Sequence, residues 1–239
     1  MIVFAHRGYS GKYPENTMLA FEKAIDIGAN GIEIDVHKSK DNKLVIIHDE
    51  DIQRTFNGKG EIRDFTLKEL KEFKNREDNL AENIKCAIPT LEEVIDLIKD
   101  KEDIVLNIEL KTDVINYDEI ENDVIKVVEK YKMENRIILS SFNYESIKRC
   151  KKINPNIKTG MLYHYKIFDP ISMAKEINAD AIHPNAELVT KKLIDESHKN
   201  NLKVNTYTVN SKELMKKLKE WNIDGVFTDY PKLLLEVIN

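Results

Sequence analysis

The chain has 239 residues, of which 41% are hydrophobic and 33% charged, enough apolar material for a sizeable core under a well-solvated surface. A formal net charge of -5 and a pI near 5.8 supply no basic field for nucleic acid or an anionic membrane, and no apolar run is long enough for stable membrane insertion. The two cysteines, Cys86 and Cys150, form no disulfide framework or metal motif, and Met1-Ile2-Val3-Phe4-Ala5-His6 opens on an apolar run with no basic leader, so unpaired thiols in a reducing cytoplasm are expected.

Short β-branched runs predict strands over Ile2 to His6, Gly31 to Val36, Asp103 to Leu110, Arg136 to Ser140, Lys158 to Tyr163, Asp180 to His183, Lys203 to Thr208 and Gly225 to Thr228. Each is followed by an amphipathic helical pattern: Thr17 to Ile27, Leu91 to Lys99, Tyr117 to Tyr131, Asn143 to Ile153, Pro170 to Ile177, Thr190 to Asn200, Ser211 to Trp221 and Pro231 to Val237. Asn16, Thr90 and Ser211 are the expected N-caps, with Gly28 as a stop. Eight alternating units predict an α/β fold, a closed (β/α)8 TIM barrel forming a single domain over residues 1–239.

One segment breaks the alternation. Roughly 50 residues separate the second strand from its helix, far beyond an ordinary βα loop, so an insertion is expected at about residues 37–89. It contains a further strand pattern, Leu44 to His48, then Gly58-Lys59-Gly60 and a short helical stretch from Thr66 to Phe73. With Asp41-Asn42 as a two-residue hairpin turn, Asp35 would lie directly opposite His48, with Cβ atoms about 5 Å apart.

Four strands end in ionisable residues: His6-Arg7-Gly8, Glu33-Ile34-Asp35, His48-Asp49 and Glu109-Leu110-Lys111. In a parallel barrel the strand ends share one mouth, where catalytic groups are presented. Glu33 and Asp35 share one face of their strand, and Glu109 with Lys111 one face of the next, about 4.8 Å away. Three crowded carboxylates raise one another's pKa and call for a cation, since Lys111 alone cannot balance them. Oxygen donors suit Mg2+ or Ca2+, or Mn2+, better than Zn2+. Arg7 and Lys111 suit an anionic substrate, and His6 with His48 could divide general acid and base work. Together these groups suit phosphoryl transfer at a diester. His183, a lone strand-end histidine, fits a structural role better.

His6-Arg7-Gly8, Pro14-Glu15-Asn16-Thr17, Glu33-Ile34-Asp35-Val36, Val45-Ile46-Ile47-His48-Asp49, Pro89-Thr90-Leu91-Glu92-Glu93, Glu109-Leu110-Lys111, Ser141-Phe142 and Thr228-Asp229-Tyr230-Pro231 occur in that order. This ordered set closely resembles the motifs of bacterial glycerophosphodiester phosphodiesterases. The resemblance implies a barrel with an insertion after the second strand, and metal-dependent hydrolysis of glycerophosphodiesters to sn-glycerol 3-phosphate and an alcohol. It implies metal binding by Glu33, Asp35 and Glu109, acid/base roles for His6 and His48, and phosphate contacts from Arg7 and Lys111. It also implies attack by the glycerol 2-hydroxyl, with His6 as base and His48 as acid. Tyr207 stands where many members carry tryptophan, and its ring could pack on glycerol carbons.

Two other readings belong to different classes. A sphingomyelinase D-like lyase would share the histidine pair and acidic site, but such enzymes are secreted and act on membrane lipids. A binding-only glycerophosphate barrel would need no acid/base pair, and a Schiff-base aldolase on Lys111 would leave the carboxylate trio idle.

Overall fold

In the computed structural model, which describes residues 1–77 and 79–239, eight parallel strands close on themselves. They are β1 (Ile2–Ala5), β2 (Gly31–Lys38), β4 (Val105–Leu110), β5 (Ile137–Ser141), β6 (Lys158–Tyr163), β7 (Ala181–Pro184), β8 (Lys203–Thr206) and β9 (Gly225–Thr228). Each pairs with its neighbour in that order, and β1 closes the ring by pairing with both β9 and β2. The fold is a (β/α)8 TIM barrel. Helices α1 (Met18–Asp26), α3 (Leu91–Ile98), α4 (Ile120–Lys130), α5 (Tyr144–Ile153), α6 (Pro170–Glu176), α7 (Lys191–Lys199), α8 (Lys212–Glu220) and α9 (Pro231–Ile238) surround it. Among the described residues no helix is long and apolar enough to cross a membrane.

Local chemistry sets the helix starts. Thr90 and Glu93 form a reciprocal capping box at α3, and the Ser211 hydroxyl accepts from the Leu214 amide at α8. The cap of α1 is Thr17, which accepts from the Ala20 amide, and not Asn16 as the sequence suggested. Asn16 instead adopts a left-handed backbone, φ 54°, and its side chain turns inward to Asp35. The fourth helix begins at Ile120 and not at Tyr117, because Tyr117 turns into the protein to meet His37.

The insertion hairpin differs from the expected register by one residue. β3 (Leu44–Ile46) runs antiparallel to β2 with Val36 opposite Ile46, so Asp35 lies opposite Ile47 and not His48. The turn holds three residues, Lys40, Asp41 and Asn42, with Asn42 left-handed at φ 58°. That is the next commonest way to join two strands. β3 also stops at Ile46, so His48 lies beyond the strand, where the pleat no longer dictates its direction.

The insertion carries its own small core: Val45, Ile47, Ile52, Phe56, Ile62, Leu70 and Ile88 are all buried, with Leu67 of α2 (Leu67–Leu70) and the flanking Phe65 and Phe73 packed against them. Gly58 lies against Ile52 and Phe73, and any Cβ there would overlap both. The barrel helices pack on two larger clusters, one around β2, β4 and β5 and one around β6 to β9. Inside the barrel Phe4 stacks on Phe227 at 4.5 Å.

At the opposite end from the acid-rich mouth, carboxylates tie the strand starts together. Asp224 accepts from the Val204 amide, from Lys203 at 2.7 Å and from His198 at 2.6 Å. Burial pushes its pKa up, but these donors outweigh burial and hold it below the ordinary 3.8. A depressed folded-state pKa means that the stabilisation is complete above 3.8 and disappears as pH falls through the folded value. Asp224→Asn should therefore cost about 1–2 kcal/mol at neutral pH, and the gap from the parent should narrow as the pH is lowered below 3.8 in urea titrations. A gap that is constant with pH would show that the charge contributes nothing.

Candidate active site

Asp35 and Glu109 are direct neighbours across the β2–β4 pair, and Glu33 sits two residues before Asp35 opposite Asn107. Alternation along the strands sends all four side chains to the barrel interior. One oxygen from each of Glu33, Asp35 and Glu109 lies within 4.8 Å of the others. Glu33 and Asp35 are almost fully buried.

These acids do not titrate alike. Burial and the charges of Asp35 and Glu109 push Glu33 well above the ordinary carboxylate range. Burial also raises Glu109, with Asp35 adding to the rise and Lys111 opposing it. For Asp35 burial is outweighed by Arg7, Lys111, His48 and the Asn16 amide, and its pKa is held at about 2. Lys111 donates to Glu109 at 3.0 Å and lies 3.9 Å from Asp35. One lysine and one arginine thus face three acids.

A divalent cation fits this donor set. The three acids offer hard oxygen ligands within a single coordination sphere, and the Asn107 side-chain oxygen nearby is buried without a partner among the described residues. The same repulsion that raises Glu33 would be relieved by positive charge at that point.

Arg7 is held from both ends. Its amide donates to Glu33 at 2.8 Å, its guanidinium donates to Glu15 at 2.9 Å, and its Nε lies 3.5 Å from Asp35. That geometry requires a tight turn, with Arg7 at φ 56° and Gly8 at φ 80°. A Cβ on Gly8 would run into Ala20, so only glycine fits.

Each histidine of the predicted pair has a carboxylate behind it. His6 Nδ1 donates to Asp229 at 2.7 Å, and Asp229 also accepts from Ser10 and Asn210. His48 Nδ1 donates to Asp49 at 2.6 Å. In the neutral ring this leaves the Nε2 lone pair as the free base in both cases. His6, Glu33, Asn107, Glu109 and Tyr207 line one small cavity of about 20 Å³, and His6 and Arg7 also open on a cleft of about 490 Å³ with Glu15, Asn210 and Asp229. His48 is close enough to act electrostatically on both Asp35 and Glu109.

Tyr207 presents a buried hydroxyl without a partner among the described residues, and burial, reinforced by Glu109, raises its pKa. Its ring meets Phe142 edge-on at 5.9 Å. His183 takes no place at the mouth. It is fully buried, accepts from Asn205 at 2.9 Å, and is pushed by burial down to about 3.

Sequence reasoning missed several supporting residues. Asp229, Asn16, Glu15 and Arg54 lie on loops, where no strand or helix period links them to the groups they hold. His37 was also missed: buried and with its pKa lowered to about 4, chiefly by burial, it must donate from Nε2 to the His48 carbonyl at 3.1 Å and accept at Nδ1 from the Tyr117 hydroxyl at 2.9 Å. A cavity of about 900 Å³ opens at the other end of the barrel beside Met1, Asp180 and Asp224, away from these groups.

Ionisable groups concentrated at the carboxyl ends of parallel strands mark the chemical end of a barrel enzyme. Comparison with known proteins narrows the class. Residues 6–233 match the model of the glycerophosphoryl diester phosphodiesterase family, and the chain belongs to that family. It is accordingly a phosphoric diester hydrolase. A glycerophosphodiester phosphodiesterase of Caldanaerobacter subterraneus subsp. tengcongensis is 41% identical, aligned over 99% of this chain and 97% of its own. An Oleispira antarctica phosphodiesterase, solved in complex with the product sn-glycerol-3-phosphate, superposes with a TM-score of 0.90 at 29% identity over 100% of this chain and 96% of its own. A Thermotoga maritima glycerophosphodiester phosphodiesterase gives 0.82 at 32% identity over 99% and 98%.

Because three buried acids repel in the metal-free protein, Glu33→Gln should raise the melting temperature of chelator-treated protein by a few degrees, on the order of 1 kcal/mol. The same change should shrink the further rise caused by added Mg2+, Ca2+ or Mn2+. An unchanged response to these ions would remove Glu33 from the cation site.

Proposed function

We propose that the protein hydrolyses glycerophosphodiesters to sn-glycerol 3-phosphate and an alcohol, with Glu33, Asp35 and Glu109 holding a divalent cation and His6 and His48 serving as base and acid. The observation that carries this reading is the pair of carboxylate-backed histidines, His6 on Asp229 and His48 on Asp49, set around one acidic cluster. A protein that only bound glycerophosphate would have no use for two oriented imidazoles. Family membership and the product-bound relative support the substrate class.

In this reading Arg7 and Lys111 contact the phosphate, Arg7 through the Nε that is buried without a hydrogen-bond partner among the described residues. His6, with its Nδ1 proton fixed on Asp229, takes the proton of the glycerol 2-hydroxyl at Nε2 as that oxygen bonds to phosphorus. The bond from phosphorus to the alcohol breaks, and protonated His48 supplies the alcohol's proton. Water then opens the resulting cyclic phosphate, the two histidines exchanging roles. A bound divalent cation, Mg2+, Ca2+ or Mn2+, would supply charge stabilisation for phosphate and hydroxyl oxygens.

The two halves of the substrate then face different walls. Tyr207, beside the acids and braced by Phe142, packs on the glycerol carbons. The leaving alcohol faces the insertion, since His48 enters from that side. We propose that residues 1–239 act as one domain in which residues 37–89 cap the barrel.

Purified protein incubated with glycerophosphocholine should release glycerol 3-phosphate, lose that activity in excess chelator and regain it with Mg2+, Ca2+ or Mn2+. No release from any of a panel of choline, ethanolamine and glycerol diesters would refute the substrate class. Full activity in chelator would refute the cation. His6→Ala and His48→Ala should each cut turnover about 100-fold or more while circular dichroism stays unchanged. A near-normal rate in either variant would make that histidine a bystander.

A further inference from the structure

Arg54 lies in the insertion and has no assigned part in the chemistry above. Its guanidinium nevertheless makes two forked contacts at once. Nε and Nη2 donate to Asp49 at 2.6 and 3.3 Å, while Nη1 and Nη2 donate to Glu15 at 2.8 and 2.7 Å. Both carboxylates are already engaged with the site. Asp49 accepts from His48 Nδ1 at 2.6 Å, and Glu15 accepts from Arg7 Nη1 at 2.9 Å.

The two ends of this fork belong to different parts of the fold. Asp49 follows β3 in the insertion, whereas Glu15 lies on the loop between β1 and α1, which also carries Arg7. Ion pairs therefore run without a gap from Asp49 through Arg54, Glu15 and Arg7 to Asp35 beneath, with the His48 imidazole joined at the Asp49 end. His48 stands outside any strand, so no ladder of backbone hydrogen bonds fixes its ring. Its carbonyl is pinned by His37, and among the described residues its imidazole is oriented through Asp49 alone.

An isolated surface ion pair is worth little, and Arg54 is 46% exposed at its side chain. Geometry makes this case different. A planar guanidinium that binds two carboxylates in a fork fixes the rotation of both, which a point charge cannot do. Glu15 registers the consequence: burial raises its pKa, but Arg54 and Arg7 together hold it below the ordinary range.

We infer that Arg54 is a positioning residue that clasps the insertion to the barrel and, by fixing the Asp49 carboxylate, holds the His48 imidazole at the leaving group. The inference rests on the reading of His48 as the general acid. A merely structural arginine would affect every substrate alike. A residue that acts through an acid matters only where the leaving group needs a proton.

The test uses Arg54→Met, Arg54→Lys, His48→Ala and the Arg54→Met/His48→Ala double variant, assayed on glycerophosphocholine and on a glycerophosphodiester with a 4-nitrophenyl leaving group. Arg54→Met should lower kcat on the choline diester by about 10- to 100-fold with KM changed much less, and the nitrophenyl diester should be cleaved at close to the parent rate. Arg54→Lys, which retains the charge without the fork, should recover part of the loss. In the His48→Ala background Arg54→Met should add less than about twofold, because the two residues act as one unit. Equal losses on both substrates, or losses that multiply in the double variant, would reduce Arg54 to a structural clamp. A slow His48→Ala beside a normal Arg54→Met would overturn the inference alone, whereas a normal rate in His48→Ala would overturn the reading of His48 itself.

Discussion

Three carboxylates forced into one buried sphere are the constraint around which the mouth of this barrel is organised. Parallel pairing of β2 with β4 leaves no choice: once Asp35 pairs with Glu109, their side chains share a wall, and Glu33 follows by alternation. Without compensation such a cluster would protonate or unfold the region. Each neighbouring feature answers that cost. The Arg7 amide reaches Glu33 through a left-handed turn, Asn16 reaches Asp35 through another, and Lys111 returns along its own strand to Glu109. Two non-glycine residues in the left-handed region, each costing of order 1 kcal/mol, are maintained because the acids bind them. The partial charge balance they achieve leaves room for one cation and an anionic substrate.

Much of this was legible in the sequence, for a physical reason. A barrel strand buried on both faces writes its boundaries as apolar runs, and an acid interrupting such a run at its carboxyl end must point somewhere special. The expected strands, the carboxylate trio and the inward face shared by Glu33 and Asp35 followed from period alone. The hairpin was harder. Asp41-Asn42 looks like a two-residue turn, yet Asn42 alone takes the left-handed conformation and the loop holds one residue more. That slip moves the partner of Asp35 from His48 to Ile47. In a continued strand the error would have sent His48 to the opposite face. It does not, because β3 ends at Ile46 and the chain beyond it is steered by His37 and Asp49.

Groups that support the chemistry were the least legible. Glu15 and Asp229 fall inside the ordered motifs without a role attached, Arg54 and His37 fall in none, and what gives each its part is whom it meets across the fold. Asp229 lies 223 positions from His6 along the chain, and no periodicity connects them. Asn16 was misread for a related reason. Its side chain suits a helix cap, and the adjacent Thr17 suits it equally, so local propensity could not decide which of the two would be released to serve Asp35.

The two histidines differ in how rigidly each is built in, and the difference separates the roles of barrel and insertion. His6 follows β1, and its carboxylate Asp229 follows β9, the strand paired with β1. Asp229 is itself held by Ser10 and Asn210, so ring and acceptor are both set by the closure of the barrel. His48 has no such frame. Asp49 is its immediate neighbour in the chain, and a contact between adjacent residues fixes neither against the barrel. What anchors the pair is the insertion's own core beneath, the His37 contact to its carbonyl, and the forked arginine above. On the proposed roles, a base that takes the proton from a nucleophile held on the barrel gains from a rigid frame. The proposed acid, which meets the leaving alcohol, sits instead on a separately packed element that is tied down at a few points.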